Sequence, residues 1–250
     1  MFAFPFWLFP AFFLTALIYA IVGFGGGSSY LAFLAVTSLR LNEVVAIALF
    51  CNLVVAGGGV WHFSKAGQMR GKMLLPFLAS SIPAAYLGGL VKTEDSIHRM
   101  LLGICLLFVA WRIWLGSRNT VDQPRKTDGV IFMAAALAVG GGLGFLSGFL
   151  GIGGGIFLSP LLILAGWANA KESSAAASLF ILLNSAAGLL ARWHSLQAHF
   201  YECILLGVVV FAGGQIGSRT GAYRLPDALM RKILAGFISW VSFRLLWVTL

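Results

Sequence analysis

Eight apolar stretches, at roughly 4–22, 43–61, 73–91, 100–116, 130–149, 174–191, 200–218 and 233–250, dominate the chain. Each is close to the ~20 residues needed to cross a bilayer core as a helix. This leaves few folds. Lipid donates and accepts no hydrogen bonds, so only helices and closed barrels can span it, and the strict alternation of a barrel strand is absent. The spans are therefore expected to be α-helical. With 60% of its residues hydrophobic and only 10% charged, against about a quarter charged in soluble domains, the chain has little left over for a soluble domain. Two shorter apolar runs, at about 28–39 and 156–167, each follow a cluster of glycines. The expected fold is an all-α polytopic membrane protein of two repeats, each with about four full helices and one short broken or half helix.

The first stretch, "MFAFPFWLFPAFFLTALIYAIVG", has no positive leading region and is too apolar for too long to be a cleaved signal, so it reads as a retained helix. Cys51, Cys105 and Cys203 are isolated within or at the ends of spans, which provides neither a disulfide framework nor a CxxC pair. They read as small core residues.

The two halves repeat one another. Asn52 is followed nine residues later by Trp61-His62, and Asn184 by Trp193-His194, an offset of 132. Gly89 and Gly221, Arg99 and Arg231, and Arg112 and Arg244 keep that offset, while Gly25-Gly26-Gly27 and Gly153-Gly154-Gly155 are offset by 128. The expected organisation is a first transmembrane repeat at 1–115, a polar linker at 116–129, "GSRNTVDQPRKTDG", and a second repeat at 130–250.

Whether the halves are parallel or inverted depends on the glycines. If the chain simply continues across the bilayer at each cluster, Lys and Arg divide nine to eight between the two sides. If it turns back there, they divide twelve to five, with Lys65, Arg70, Lys72, Arg219 and Arg224 on the same side as the linker. Cytoplasmic loops collect Lys and Arg, so the inverted arrangement is favoured, with the linker cytoplasmic and both termini outside. The formal net charge of +9 then reports membrane orientation, and nucleic acid is not called for.

Reversal inside a membrane needs backbone angles that glycine adopts cheaply. A half-helix starting at each cluster would present unpaired N–H donors and a partial positive charge, an anion site near mid-membrane. Ser28 and Ser29 add hydroxyls at the first cluster. Close helix packing is the competing explanation for glycines, and it suits Gly140, Gly144 and Gly148, which fall at small-xxx-small spacing.

No Asp or Glu falls mid-span, and Glu43 and Glu172 look like first-turn acids of helices. A cation-coupled pump would be expected to bury a carboxylate, so the pattern favours a substrate anion. The groups left inside are neutral hydrogen-bonders: Asn52, Asn184, Ser80, Ser81, Ser178, Ser185 and Gln215. Asn52 and Asn184 suit either a substrate cavity or an interhelical bridge. Trp61 and Trp193 suit interface anchoring, and the adjacent His62 and His194 could carry a proton or donate to an anion. Arg192 could attract anions or extend outward from the membrane. P-loop, HExxH and GxSxG signatures are absent, and the four histidines lack metal-site spacing, so neither an enzyme nor a cofactor or metal is expected.

The segments "GFGGGSSYLAF", "GFLGIGGGIFLSPLLILAG" and "SAAASLFILLNSAAGLLARWH" resemble the sulfite exporter TauE/SafE family, also called the 4-toluene sulfonate uptake permease family, and the resemblance covers essentially the whole chain. The second half carries the fuller motif, with glycines at 151, 153, 154 and 155, Pro160, and Ser178-Leu179-Phe180. The first half has Ala32 in place of the proline and Ser28-Ser29 in place of an apolar pair. The resemblance implies a multi-pass transporter of the bacterial inner membrane, exporting sulfite, sulfoacetate or other organosulfonates by alternating access. On this reading the substrate-binding set is Gly25, Gly26, Gly27, Ser28, Ser29, Asn52, Trp61, His62, Gly153, Gly154, Gly155, Ser178, Asn184, Trp193, His194 and Gln215. Its partners are a small sulfur-containing anion and the lipid bilayer, with a homodimer left open. A membrane-embedded subunit docking another protein, and a passive anion channel, are the alternative functions.

Overall fold

The computed structural model describes residues 4–91, 129–226, 228–230, 232, 233 and 236. The expected span at 100–116, most of that at 233–250, the linker up to residue 128, and the arginine pairs 99/231 and 112/244 lie outside the described residues.

Nine helices and no strand are found among the described residues. They are α1 (Leu8–Ile21), α2 (Gly27–Leu34), α3 (Leu41–Lys65), α4 (Gly71–Leu90), α5 (Val130–Leu150), α6 (Gly155–Leu164), α7 (Ala170–Ala191), α8 (Trp193–Ala198) and α9 (Phe200–Tyr223). Five of these, α3, α4, α5, α7 and α9, are long and apolar enough to cross a membrane. The chain is a multi-spanning, all-α membrane protein. Large apolar side chains such as Leu75, Ile131, Val208 and Phe211 point outward, as lipid-facing surfaces require. Glu43 and Glu172 both stand in first turns. Glu43 accepts from the Arg40 backbone N–H at 2.9 Å, and Glu172 forms a reciprocal capping pair with Asn169.

The two short helices are too short to cross. At 8 and 10 residues and ~1.5 Å per residue, α2 and α6 rise about 12 and 15 Å. Both run back along the chain that precedes or follows them. Tyr19 of α1 hydrogen-bonds Ser28 and Ser29, Phe12 stacks on Tyr30 at 4.5 Å, and Trp7 meets Phe33. As α2 advances, its contacts move backward along α1, so the two are antiparallel. Likewise Gly155 abuts Ala177 and Ile181 of α7, while Ser159 bonds Ser173 at 2.6 Å, so α6 is antiparallel to α7.

Two ladders of glycines fix the remaining directions. A methyl group on Gly140, Gly144 or Gly148 of α5 would run into the carbonyls of Phe77, Ser81 and Ala85 of α4, in that order. On α9, Gly213, Gly217 and Gly221 meet the carbonyls of Phe13, Leu17 and Ile21 of α1 in the same way. Each ladder advances along both helices together, so α4 and α5 are parallel, as are α1 and α9. Backbone contact this close exchanges side-chain bulk for dispersion and Cα–H···O contacts, the latter worth ~0.5–1 kcal/mol each. The ridge read at 140, 144 and 148 is a packing surface, and a second one lies on α9.

At the centre, α3 crosses α7, and α9 packs on α3 as α4 packs on α7. Arg70, just beyond the end of α3, donates to the Trp167 carbonyl at 2.9 Å and lies 3.7 Å from Glu172 at the start of α7. At the opposite end, Glu43 at the start of α3 faces His199 at 3.5 Å, just after α8 and before α9. So α3 and α7 run in opposite directions, and α9 runs with α3. Since α6 opposes α7, and α4 and α5 share the direction of α7, α6 also doubles back on α5.

Candidate functional site

Each reversal is made by glycines in backbone conformations that other residues rarely adopt. Gly26 (φ 97°) caps α2 and Gly154 (φ 73°) caps α6, and both are left-handed. Gly23, Gly151 and Gly153 also have positive φ, and no non-glycine residue among the described ones does. The first half thus keeps the left-handed cap and the turn two residues before the triplet despite Ala32 and Ser28-Ser29, although Gly25, the counterpart of Gly153, does not have positive φ. Neither the N–H groups of Gly25, Gly26, Gly27 and Ser28 nor those of Gly153, Gly154, Gly155 and Ile156 donate to a backbone carbonyl among the described residues. These are the orphan donors of two helix N-termini.

Both sets meet at one side chain. A Cβ on Gly25 would strike Asn52 Oδ1, and one on Gly27 would strike Asn52 Nδ2. From the second cluster, a Cβ on Gly153 would sit 3.2 Å from the same Nδ2 and 3.1 Å from Ser185 Oγ. Asn52 lies near the middle of the 25-residue α3. It is 0% exposed, and neither amide atom has a hydrogen-bond partner. The hydroxyls of Ser185, and of Ser147 beside Gly154, are likewise buried without partners. An amide buried without a partner costs about 1–3 kcal/mol by protein mutational data. Here donors and an acceptor converge in one buried place: an amide with both functions, two hydroxyls and the ends of two helices.

The other expected site residues are placed in five ways. Ser178 donates to the Gly23 carbonyl at 3.0 Å and to Ser174 at 2.9 Å, tying α7 to the first break. Ser28 and Ser29 are engaged with Tyr19. His62, in the last turn of α3, and Gln215, about two turns before the end of α9, bond one another at 2.9 Å, beside an exposed Trp61. Trp193 and His194 open the short α8 on the surface, and the structure does not bring them to the breaks. Asn184 is buried, but its Nδ2 donates to Phe180 of its own helix at 2.8 Å, leaving only Oδ1 unpartnered. The repeat pairs Asn184 with Asn52, yet only Asn52 stands between both breaks.

Arg192 is 7% exposed and does not extend outward. Its guanidinium donates to the carbonyls of Gly148 at 2.8 Å and Phe149 at 3.2 Å, the last turn of α5 immediately before the second break. It neutralises the negative end of that helix and holds Gly151 to Gly155 in register with α7. Sequence reading missed this role because nothing in "LLARWH" distinguishes a buried arginine from an interfacial one. Ser147 was missed as well, since it lies in "FLSGF" with no local mark of its neighbour Gly154.

Residues 8–245 match the family described as Sulfite exporter TauE/SafE. The probable membrane transporter protein y4hK of Sinorhizobium fredii is 34% identical over 246 residues, 95% of this chain and 96% of that protein. No solved structure matches the chain. With its helical spans, its paired glycine breaks and this full-length similarity, the chain belongs to the sulfite exporter TauE/SafE family, whose members are membrane transporters and not enzymes.

Proposed function

We propose that the protein is a secondary carrier exporting a small sulfur-containing oxyanion, sulfite, sulfoacetate or another organosulfonate, across the bacterial inner membrane. The observation that carries this reading is the convergence of both glycine breaks on the buried, unbonded amide of Asn52. Sulfite and sulfonates offer several acceptor oxygens to N–H, amide and hydroxyl donors. Two helix N-termini supply positive potential without a fixed charge that would hold the anion too tightly. With the cell interior negative, outward movement of one net negative charge gains about 2.3 kcal/mol per 100 mV. No coupling ion is needed.

The carrier works as two inverted repeats. Supporting this, α1 and α5, α2 and α6, α3 and α7, and α4 and α9 occupy equivalent places and run in opposite directions. Three of the main contacts also have exchanged counterparts: α1 on α9 with α5 on α4, α3 on α9 with α7 on α4, and α2 on α3 with α6 on α7. Arg70, the ends of α3 and α9, and the start of α7 share one side, which the excess of Lys and Arg makes cytoplasmic. Both termini are then periplasmic. A carrier is favoured over a channel because Asn52 and all six glycines of the two triplets are buried, as a gated central site requires.

The test is a thermal-shift and proteoliposome-flux panel of sulfite, thiosulfate, sulfoacetate, taurine and aromatic sulfonates on the purified protein. At least one should stabilise it, by about 2.7 kcal/mol at a hundred times its Kd, and should be transported. Gly26→Leu or Gly154→Leu should abolish both effects while leaving membrane insertion intact. An absence of binding and flux across the panel would overturn the reading.

A further inference from the structure

A second polar feature lies away from the breaks, where α3 and α9 end together. An open cavity of about 420 Å³ is lined by Trp61, His62, Lys65, Arg219, Tyr223 and Arg224. No carboxylate lines it, and none of its three fixed cations forms an ion pair among the described residues. Lys65 rests over the Trp61 ring at 4.2 Å, and His62 stands edge-on to Tyr223. Three positive charges without an ion-pair partner among the described residues, set around one concavity, focus field toward it and raise the local concentration of anions.

The floor of this cavity leads inward. The His62 imidazole is bonded to Gln215, whose amide lies on the bare backbone of Gly58. The next residue, Gly59, turns about 100° further round α3 and abuts the hydroxyl of Ser178, which in turn bonds the carbonyl of Gly23 at the first break. Asn52 lies ten positions before His62 on α3, about 15 Å by helical rise. Gly57, Gly58 and Gly59 leave α3 without side chains over this stretch, where Gly58 faces the Gln215 amide and the Ser218 hydroxyl, Gly59 faces the Ser178 hydroxyl, and Gly57 faces the Leu182 side chain.

We infer that this basic cavity is a second anion site, the cytoplasmic mouth of the transport path, with the His62–Gln215 pair as the floor between it and Asn52. It rests on the carrier reading above, and its ligand class is the same small oxyanion. Lys65, Arg219 and Arg224 gather the anion from the cytoplasm. His62 and Gln215 must part for it to pass toward Ser178 and the breaks.

The experiment is uptake of radiolabelled sulfite, or whichever anion the panel selects, into inverted membrane vesicles, which expose the cytoplasmic face. The triple variant Lys65→Ala/Arg219→Ala/Arg224→Ala should need roughly tenfold more anion for half-saturation at low ionic strength, the lower end of electrostatic steering effects. The difference should shrink toward nothing near ~1 M ionic strength, where the Debye length is about 3 Å. The charge-conserving Lys65→Arg/Arg219→Lys/Arg224→Lys variant should restore wild-type half-saturation, which a folding defect would not allow. Unchanged half-saturation in the alanine triple would overturn the mouth while leaving the carrier intact. Loss of a tightly held anionic phospholipid from that triple, seen by mass spectrometry with no change in half-saturation, would instead assign the cavity to a lipid headgroup. Absence of uptake by wild-type vesicles would fell the carrier reading itself.

Discussion

Replacing Asn52 by leucine separates a binding role from a structural one, because the two predict opposite signs. Leucine keeps the branched outline of asparagine beyond Cβ but has no polar atoms. If the amide bridged helices, its loss would cost the net value of its hydrogen bonds, about 0.5–1.5 kcal/mol each. In the structure it makes none, although it is wholly buried. Asn52→Leu therefore removes a desolvation penalty of about 1–3 kcal/mol. Part of that gain is offset by fitting two methyl groups against Gly25 and Gly27. The expected melting temperature of the anion-free protein is unchanged or a few degrees higher. Binding should behave differently. A hydrogen bond to a charged ligand contributes about 1.5–3 kcal/mol, so affinity for the transported oxyanion should fall roughly 10- to 150-fold. Thermal denaturation of the purified protein, with and without a titration of the anion, measures both quantities on the same sample. Asn184→Leu is the control. Its amide is already bonded within α7, and the affinity change should be much smaller. A clear drop in melting temperature with undiminished anion affinity in Asn52→Leu would refute the reasoning.

Gly26→Ala and Gly154→Ala place a methyl group in left-handed backbone, at about 1–2 kcal/mol each. The new carbon would stand 2.7 Å from Tyr30 Cζ or 2.8 Å from Phe180 Cε1, so anion-induced thermal stabilisation should be lost even where the protein still inserts. Gly144→Leu or Gly217→Leu would push apart helices in backbone contact; expression and melting temperature should fall, by at least ~1–3 kcal/mol of stability. Arg192→Met withdraws donors from the carbonyls of Gly148 and Phe149, and a lower melting temperature is expected in denaturation scans. Reversing the charges at Arg125 and Lys126 should leave flux in proteoliposomes intact, since a carrier works alone and a docking subunit would not.

Five of the eight expected spans were legible because a run of apolar residues has one stable outcome in lipid, whereas the stretch at 4–22 forms the 14-residue α1; the glycine breaks were legible because only glycine adopts cheaply the backbone they require. The expected stretches at 43–61 and 200–218 correspond to Leu41–Lys65 and Phe200–Tyr223, which extend several residues into polar sequence. At the end of α3, the bond of His62 to Gln215 continues what hydropathy does not signal. Roles that depend on partners distant in sequence were not legible. Ser28 and Ser29 look alike at a helix start whether they face a cavity or, as found, Tyr19. Arg192 looks like an interfacial cation until the end of α5 is placed beside it. The repeat makes Asn52 and Asn184 equivalent in sequence, but Asn184 bonds its own helix, so the pseudo-symmetry is broken at the site where chemistry would need it least.

The glycine ladders also constrain how a carrier of this shape could move. Alternating access is simplest to picture as one sequence half rocking against the other. Yet the closest backbone contacts join α1 to α9 and α4 to α5, helices from different halves, through carbonyls that would clash with any side chain. Interfaces this tight do not slide easily, because each ångström of separation forfeits many dispersion contacts at once. The rigid bodies should then be the pairs α1–α9 and α4–α5, with motion taken up where α3 and α7 cross. A disulfide tests this directly. Cβ atoms at Ser80 and Gly141 would be 3.8 Å apart, within the ~3.5–4.5 Å that a disulfide accepts. Oxidised Ser80→Cys/Gly141→Cys protein should form the cross-link and keep transporting, because the bond lies inside one moving body. If flux stops on oxidation and returns on reduction, α4 and α5 must separate during the cycle, and the moving bodies follow the sequence halves after all.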